Sequence, residues 1–387
     1  MVQQVTIENF KSIQSLTLEL GRVNVFIGEN GSGKSNILEA IAMGSAAAEN
    51  KLDNEFLSSR GIRVAEAQAM RSGFEKENLD KDIQIIVKSI DSGKINFTLH
   101  NKNGPFSTWE ERNMGEIIDT IKTSTLEEIQ ELDDELRERL EMKQGNLNIW
   151  VEKLVVDKFR QMLNIRFNLV DFLIYSPENY FLRRFEDESQ ITPLGIRGEG
   201  LFKLLSVIYE EKPEQFQKIR ENLALIDWFE GFEIPNDLRF TERRIRIKDR
   251  FLEDGLAYFD QRSSNEGFLY LLFYFSLFIS DYTPKFFAID NIDNAMNPKL
   301  ASRLVQQLSQ LAKEHEKQVI MTTHNPAVLD GLDLKDDEQR LFVISRNKLG
   351  HTKALRITHK PVPEGQEPVR LSEQFLRGYI GGLPKNF

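Results

Sequence analysis

A chain of 387 residues, 40% hydrophobic and 28% charged, has an ordinary globular composition and exceeds the size that a single core usually serves. It has no cysteine, which excludes disulfides, thiolate metal sites and thiol catalysis and fits a reducing cytoplasm. The net charge of −10 excludes a surface coated for non-specific nucleic-acid binding, whose affinity comes from Lys and Arg on phosphates, while leaving a local basic face open.

Residues 1–7 lack a basic segment followed by an apolar core, so no signal peptide is expected. Residues 2–7 and 14–20 alternate apolar and polar side chains around Asn9-Phe10-Lys11-Ser12, which predicts two strands joined by a turn. A third strand, Val23–Ile27, runs into Gly28-Glu29-Asn30-Gly31-Ser32-Gly33-Lys34-Ser35-Asn36 and then into a helix over Ser35–Ala48. This is G-x-x-x-x-G-K-[ST] in the strand-loop-helix setting it requires. Gly28, Gly31 and Gly33 let successive N–H groups turn toward phosphate oxygens, with Asn30, Ser32 and Asn36 in the same loop. Lys34 is placed for the β- and γ-phosphates and Ser35 for Mg²⁺, so a nucleoside triphosphate is the expected ligand.

After this helix the alternation breaks. Ile83–Val87 and Ile95–Leu99, separated by Asp91-Ser92-Gly93, predict an antiparallel hairpin. Gly115–Lys143 is acidic and helical in pattern, with Leu126, Ile129, Leu132, Leu136 and Leu140 three and four apart, and a second helix is expected over Leu147–Leu163. Residues 55–165 therefore read as an α+β insertion, hairpin plus acidic helices, between head segments 1–54 and 166–387.

Leu169–Tyr175 predicts a returning strand, followed by helices over Glu199–Glu210 and Pro213–Ile226 and short strands within 230–251, among them Leu238–Phe240 and Arg244–Lys248. The last third reads as helix 265–280, strand 285–290, helix 298–313, strand 317–322, helix 326–330 and strand 341–345, the alternation of a mostly parallel, helix-covered sheet. The helix holds the longest apolar run, Phe268–Ile279, which is too short to span a bilayer and contains Tyr270, Tyr274 and Ser276; a buried helix with no membrane role is expected. A short amphipathic helix is expected within 369–384, either packed on the core or docking an effector.

Two strand ends carry candidate chemistry. Lys285–Asp290 is an apolar strand ending in a carboxylate suited to hold Mg²⁺ beside Ser35. Val319–Thr323 ends at His324, and because one helix separates the two strands, both ends should open onto one crevice. Arg183-Arg184 and Arg243–Arg250 concentrate positive charge. Arg244, Arg246 and Lys248 share a strand face, which reads either as a track for a phosphate backbone or as a solvated face balanced by Glu242, Asp249 and Glu253.

Together these residues resemble the ABC-type ATPases of the SMC, RecF and overcoming-lysogenisation-defect group. The resemblance rests on the loop at 28–35, the Asp290 strand, Asn297-Pro298, Thr322–Pro326, the opening Ile7–Ser12, Tyr175–Asn179 at the place of the Q-loop, and Leu194–Gly200. It covers most of 1–50 and 169–345 and implies an α/β head with a mixed sheet covered by helices, using ATP and Mg²⁺. It also implies a composite site in which a signature loop, best matched by Ser263–Gly267, brings Ser264, Asn265 and Gly267 to the γ-phosphate held by a second copy; as a bare pattern the same residues also read as a helix cap.

One departure stands out: Asn291 follows the metal aspartate where the group usually has a glutamate that activates water. An amide orients water but does not take its proton, so slow hydrolysis and a long-lived ATP-bound dimer are expected, with Asn291, Asp293 and His324 as the candidate catalytic residues. Asp293 reads as a substitute base or as a contact to the partner. Prokaryotic anti-phage ATPases of this group imply a nucleotide-gated homodimer or larger homo-oligomer that restrains a separate nuclease or toxin. The alternative is a RecF-like repair ATPase that binds DNA directly through Arg244 and Arg246.

Overall fold

The computed structural model describes residues 1–90, 93–104, 106–112, 169–185, 193–235, 243–253, 258–359 and 369–383. The helices expected over 115–143 and 147–163, and the strand expected over 238–240, lie outside those residues.

β1 (Val2–Phe10) and β2 (Ile13–Glu19) form the expected antiparallel pair. Val5 and Ile7 on β1 and Leu16 and Leu18 on β2 are buried, while Thr6 and Thr17 on the other face hydrogen-bond each other at 2.9 Å. β4 (Ile83–Ser89) and β5 (Gly93–His100) make the predicted hairpin, with 91–92 outside the described residues. β4 also pairs antiparallel with β1, and β6 (Glu110–Glu111) adds beyond β5, giving a sheet in the order β2-β1-β4-β5-β6.

This corrects the expected boundary at 54/55. A β1–β2 hairpin alone would leave the other edge of β1 unpaired, and β4 covers it. Ile85, Val87, Phe97, Leu99 and Trp109 share one core with β1 and β2, so the described part of 55–112 belongs to the head.

The second sheet contains β14 (Thr352–Ile357), β13 (Gln339–Arg346), β3 (Val23–Ile27), β12 (Gln318–Thr323), β11 (Phe286–Ile289) and β7 (Ile174–Tyr175), in that order. Neighbours run parallel except β13 and β14. Such a sheet is covered on both faces. Val23, Val25, Ile27 and Met321 face a helical layer, whereas Phe26, Ala288, Ile320 and Phe342 face α1 (Lys34–Ala48) and the antiparallel sheet.

Further helices among the described residues are α2 (Asn54–Ser59), α3 (Ala67–Met70), α4 (Asn179–Arg183), α5 (Leu201–Glu211), α6 (Pro213–Leu223), α7 (Glu266–Ile279), α8 (Pro298–Glu314) and α9 (Leu371–Leu376). Every residue of α7 from Phe268 to Ile279 is buried, as a helix that is apolar all round requires. A three-stranded sheet of β8 (Phe229–Glu233), β9 (Arg246–Asp249) and β10 (Tyr258–Asp260) lies in the order β10-β9-β8 and shares the helical layer's core through Phe229, Phe232 and Ile247.

Three local expectations change. Residues 169–175 supply only two residues of strand, β7, while Leu169 and Val170 are helical. Arg60 Nη1 takes the carbonyls of Val170 and Phe172 at 2.6 and 3.0 Å, and Ser45 Oγ also donates to both, so those groups do not join a ladder. The segment 326–331 is a 3₁₀ turn, capped by the Asn325 side chain. The C-terminal helix shortens to α9, whose Ser372 N–H and hydroxyl both bond the Asp330 carboxylate, and β14 enters as an edge strand with no counterpart among the expected elements. Among the described residues no helix is long and apolar enough to cross a membrane.

Candidate nucleotide-binding site

The loop from β3 to α1 owes its path to its glycines and to the strands behind it. Gly31 and Gly33 have φ of 73° and 106°, in the left-handed region that costs other residues about 1–2 kcal/mol. Space is equally restrictive. A Cβ on Gly28 would come within 2.1 Å of the Ile344 carbonyl, and one on Gly33 within 2.1 Å of Thr352 Oγ1. Thr352 Oγ1 donates to the Ser32 carbonyl at 3.1 Å and meets Ser12 Oγ at 2.7 Å, while Asn36 Nδ2 donates to Ser12 Oγ at 2.6 Å. The β1–β2 turn and the start of β14 thus brace the loop from behind. The sequence places Ser12 in the turn after β1 and in the opening that carries the resemblance but gives it no role at the loop, and Thr352 carries no signal at all, because each lies far from the motif it supports.

Lys34 folds over the loop, with Nζ donating to the carbonyls of Gly28 at 2.9 Å and Glu29 at 3.1 Å. Burial lowers its pKa to about 8, against the opposing pull of Asp290, Glu29 and Asp293. Asn30 and Gly31 lie exposed at the apex. Ser32 Oγ is buried and has no hydrogen-bond partner among the described residues, a feature that suits a loop shaped for phosphate oxygens.

Asp290, the carboxylate expected to hold a metal, follows β11 directly and lies beside Ser35 and Thr322. Ser35 Oγ donates to Asp290 Oδ2 at 3.3 Å, and Thr322 Oγ1 donates to Asp290 Oδ1. The Thr322 hydroxyl also accepts the Asn291 N–H at 2.9 Å, so one side chain on β12 fixes both the Asp290 carboxylate and the residue after it. A hydroxyl and an oriented carboxylate form the hard-oxygen donor pair that Mg²⁺ prefers, and the residues present fit that ion.

Asn291 has φ of 57°, a conformation that Asn adopts more readily than most residues. Asp293 is pinned from its own chain by the Thr323 hydroxyl at 2.6 Å, and its charge acts on both Lys34 and His324. His324 bonds the Gly28 backbone; burial first, and then the nearby Lys34 charge, hold its pKa below the ordinary value and favour the neutral ring. The structure therefore gathers Gly28, Ser32, Gly33, Lys34, Ser35, Asp290, Asn291, Asp293 and His324 around one crevice.

Residues 263–267 lie elsewhere, at the start of α7. Asn265 Oδ1 accepts the Phe268 N–H at 2.8 Å and so caps α7 in its own chain. A Cβ on Gly267 would stand 3.5 Å from the Ala295 carbonyl, in the turn that follows Asp293. Ser264 Oγ is buried without a partner among the described residues. The basic strand face is crossed by acids on β8: Lys248 pairs with Glu230 at 2.7 Å and Arg246 with Glu233 at 3.6 Å. That arrangement matches the solvated, balanced face rather than an uninterrupted positive track.

Parallel strands covered by helices on one face, an antiparallel sheet and α1 on the other, and a glycine loop facing a strand-end carboxylate define an ABC-type P-loop head. The chain belongs to the family described as "AAA domain, putative AbiEii toxin, Type IV TA system", which matches residues 23–330. Its fold is similar to an SMC head bound to the C-winged helix domain of ScpA, with a TM-score of 0.54 and 15% identity over 92% of this chain and 97% of that one. The SMC head of Pyrococcus furiosus, bound to the C-terminal domain of ScpA, gives 0.50 and 15% over 92% and 96%. In sequence, the chain is similar to an uncharacterized protein, MJECL10, of Methanocaldococcus jannaschii, at 34% identity over 113 residues, 28% of this chain and 50% of that protein. The DNA replication and repair protein RecF of Listeria welshimeri is 38% identical over 55 residues, 14% of this chain and 15% of RecF. The chain thus spans half the length of the first of these relatives and a small part of the second.

Proposed function

We propose that this protein is an ATP-binding, slowly hydrolysing switch, in which two copies close over two Mg²⁺-bound triphosphates and the closed form holds or restrains a separate effector. The observation that carries the reading is the joint placement of the glycine loop, Lys34 and the Ser35–Asp290–Thr322 group in one crevice. Lys34 would exchange two loop carbonyls for phosphate oxygens, and Ser35 and Asp290 would hold Mg²⁺, which neutralises charge on the phosphates when bound. Asn291 supplies orientation without a base, which supports slow turnover. Cytoplasmic residence and a partner nuclease or toxin follow the family resemblance; the family's description names a putative toxin of a toxin–antitoxin system and no partner.

Sedimentation velocity of the full chain with and without MgATP tests the switch. ATP-dependent association that Lys34→Ala abolishes is expected. A wild-type chain that stays monomeric under saturating MgATP overturns the proposal. Affinity capture from the native host, followed by identification of bound proteins, tests the effector part: a protein that dissociates when ATP is removed supports it, and capture of DNA alone favours the RecF-like alternative.

A further inference from the structure

Arg183, which the sequence presents as half of a basic pair, is not a free surface charge. It closes α4, and its Nε donates to Asn179 Oδ1 one turn back at 2.7 Å. Its Nη1 points into the loop before α7, donating to the carbonyls of Arg262 and Ser264, each at 2.7 Å, with Gln261 further off at 3.4 Å. Asn179 completes the link by donating from Nδ2 to the Glu266 carboxylate in the first turn of α7. Two side chains from one short helix therefore hold both ends of residues 261–266. One guanidinium that gathers successive carbonyls sets a loop's shape through a rigid fork, which a single point charge does less well.

The other end of this clamp is anchored at the nucleotide crevice. The Asp290 N–H donates to the Tyr175 carbonyl at 2.8 Å, so the last residue of β7 is bonded to the metal carboxylate's own backbone. From there Ser176 and Glu178 donate to the carbonyls of Ile196 and Arg197 at 2.8 and 2.9 Å, which fixes the path into α4. Hydrogen bonds at either end of the short backbone run 175–179 thus connect Asp290 to the loop that carries Ser264.

We infer that Arg183 and Asn179 are positioning residues that hold the 261–267 loop in the shape needed to meet a second copy's triphosphate, keyed to the strand end that carries the chain's own metal carboxylate. This inference rests on the dimer reading above. It assigns the clamp no contact with nucleotide bound by the same protomer.

The test uses the full chain and three measurements: binding of a fluorescent ATP analogue to the protomer at low protein concentration, self-association in MgATP, and ATP turnover. Arg183→Ala and Asn179→Asp are expected to leave protomer affinity within about twofold and to weaken association and turnover at least about tenfold. Asn179→Asp places a carboxylate against Glu266, and adding Glu266→Gln reverses donor and acceptor across the same contact; this double variant is expected to recover association. Arg183→Ala combined with Ser264→Ala should be no worse than the poorer single variant, because both act on one loop. Association of both single variants with wild-type affinity, or a large loss of protomer affinity in either, overturns the inference. A wild-type chain that never associates refutes the dimer reading itself, which separates the two failures.

Discussion

On the proposed reading, replacing Asn291 by Glu places a base directly after Asp290, and the local geometry sets both its benefit and its cost. Asn291 sits at φ 57° with its N–H on Thr322 Oγ1 at 2.9 Å, and Glu enters that left-handed conformation less easily, at about 1 kcal/mol. Restoring a general base is worth about 10²- to 10⁴-fold in rate, equivalent to about 3–5 kcal/mol of barrier. The rate term therefore outweighs the strain term. Asn291→Gln has the same length as Glu and no base, so it isolates the carboxylate. Steady-state phosphate release at saturating MgATP should rise at least about tenfold for Asn291→Glu over both wild type and Asn291→Gln, while urea midpoints of the two variants fall together. A Glu variant no faster than the Gln variant would refute the reasoning. Brisk wild-type turnover that Asp293→Ala leaves unchanged would also remove the premise that the chain lacks a base, and with it any substitute role for Asp293.

Gly33→Ala should abolish nucleotide binding, measured by analogue fluorescence, because φ 106° and a 2.1 Å approach to Thr352 Oγ1 leave no room for a methyl group without shifting the loop; circular dichroism should stay near wild type. The Lys34 pKa of about 8 in the free loop should rise when phosphate oxygens surround it, so binding near pH 8 takes up about half a proton. Calorimetry in buffers of different ionisation enthalpy reads that number, and affinity should fall as pH rises above 8. A third expectation concerns Lys317, fully buried, with Nζ donating to the carbonyls of Ser280, Thr283 and Pro284 and to the Thr283 hydroxyl. Burial lowers its pKa to about 7 from 10.5, so the unfolded chain holds the proton more tightly between those values and stability should rise with pH across about 7 to 10. Denaturation of wild type and Lys317→Met at several pH values checks this; the slope should be shallower in the variant, with the part that Lys34 contributes above about pH 8 remaining.

The parts of the site that were legible in the sequence are those whose chemistry is local. The glycine loop, Lys34 and Ser35 fall within one strand-loop-helix unit, and Asp290 and His324 end apolar strands whose length and composition speak for themselves. What escaped notice depends on pairing at a distance. Ser12 reaches Thr352 across 340 residues, and Arg183 takes carbonyls 78 to 81 residues away, so neither spacing produces a periodic signal. The hairpin at 83–100 was recognised as a hairpin, but alternation on β4 says nothing about which strand covers its second edge. Leu169–Phe172 looked like strand because buried apolar residues satisfy either reading, and the deciding contact comes from Arg60, more than a hundred residues earlier.

The brace behind the phosphate loop also bears on how the protein is made. Synthesis delivers the glycine loop early, but Ile344 and Thr352, which shape its far side, emerge only after some three hundred further residues have been translated. A ribosome-tethered fragment lacking them holds every residue of the motif and the Ser12 side of its rear support, but not the side that Ile344 and Thr352 supply. The loop's full frame therefore exists only once residues 344–352 have joined the sheet beside β3.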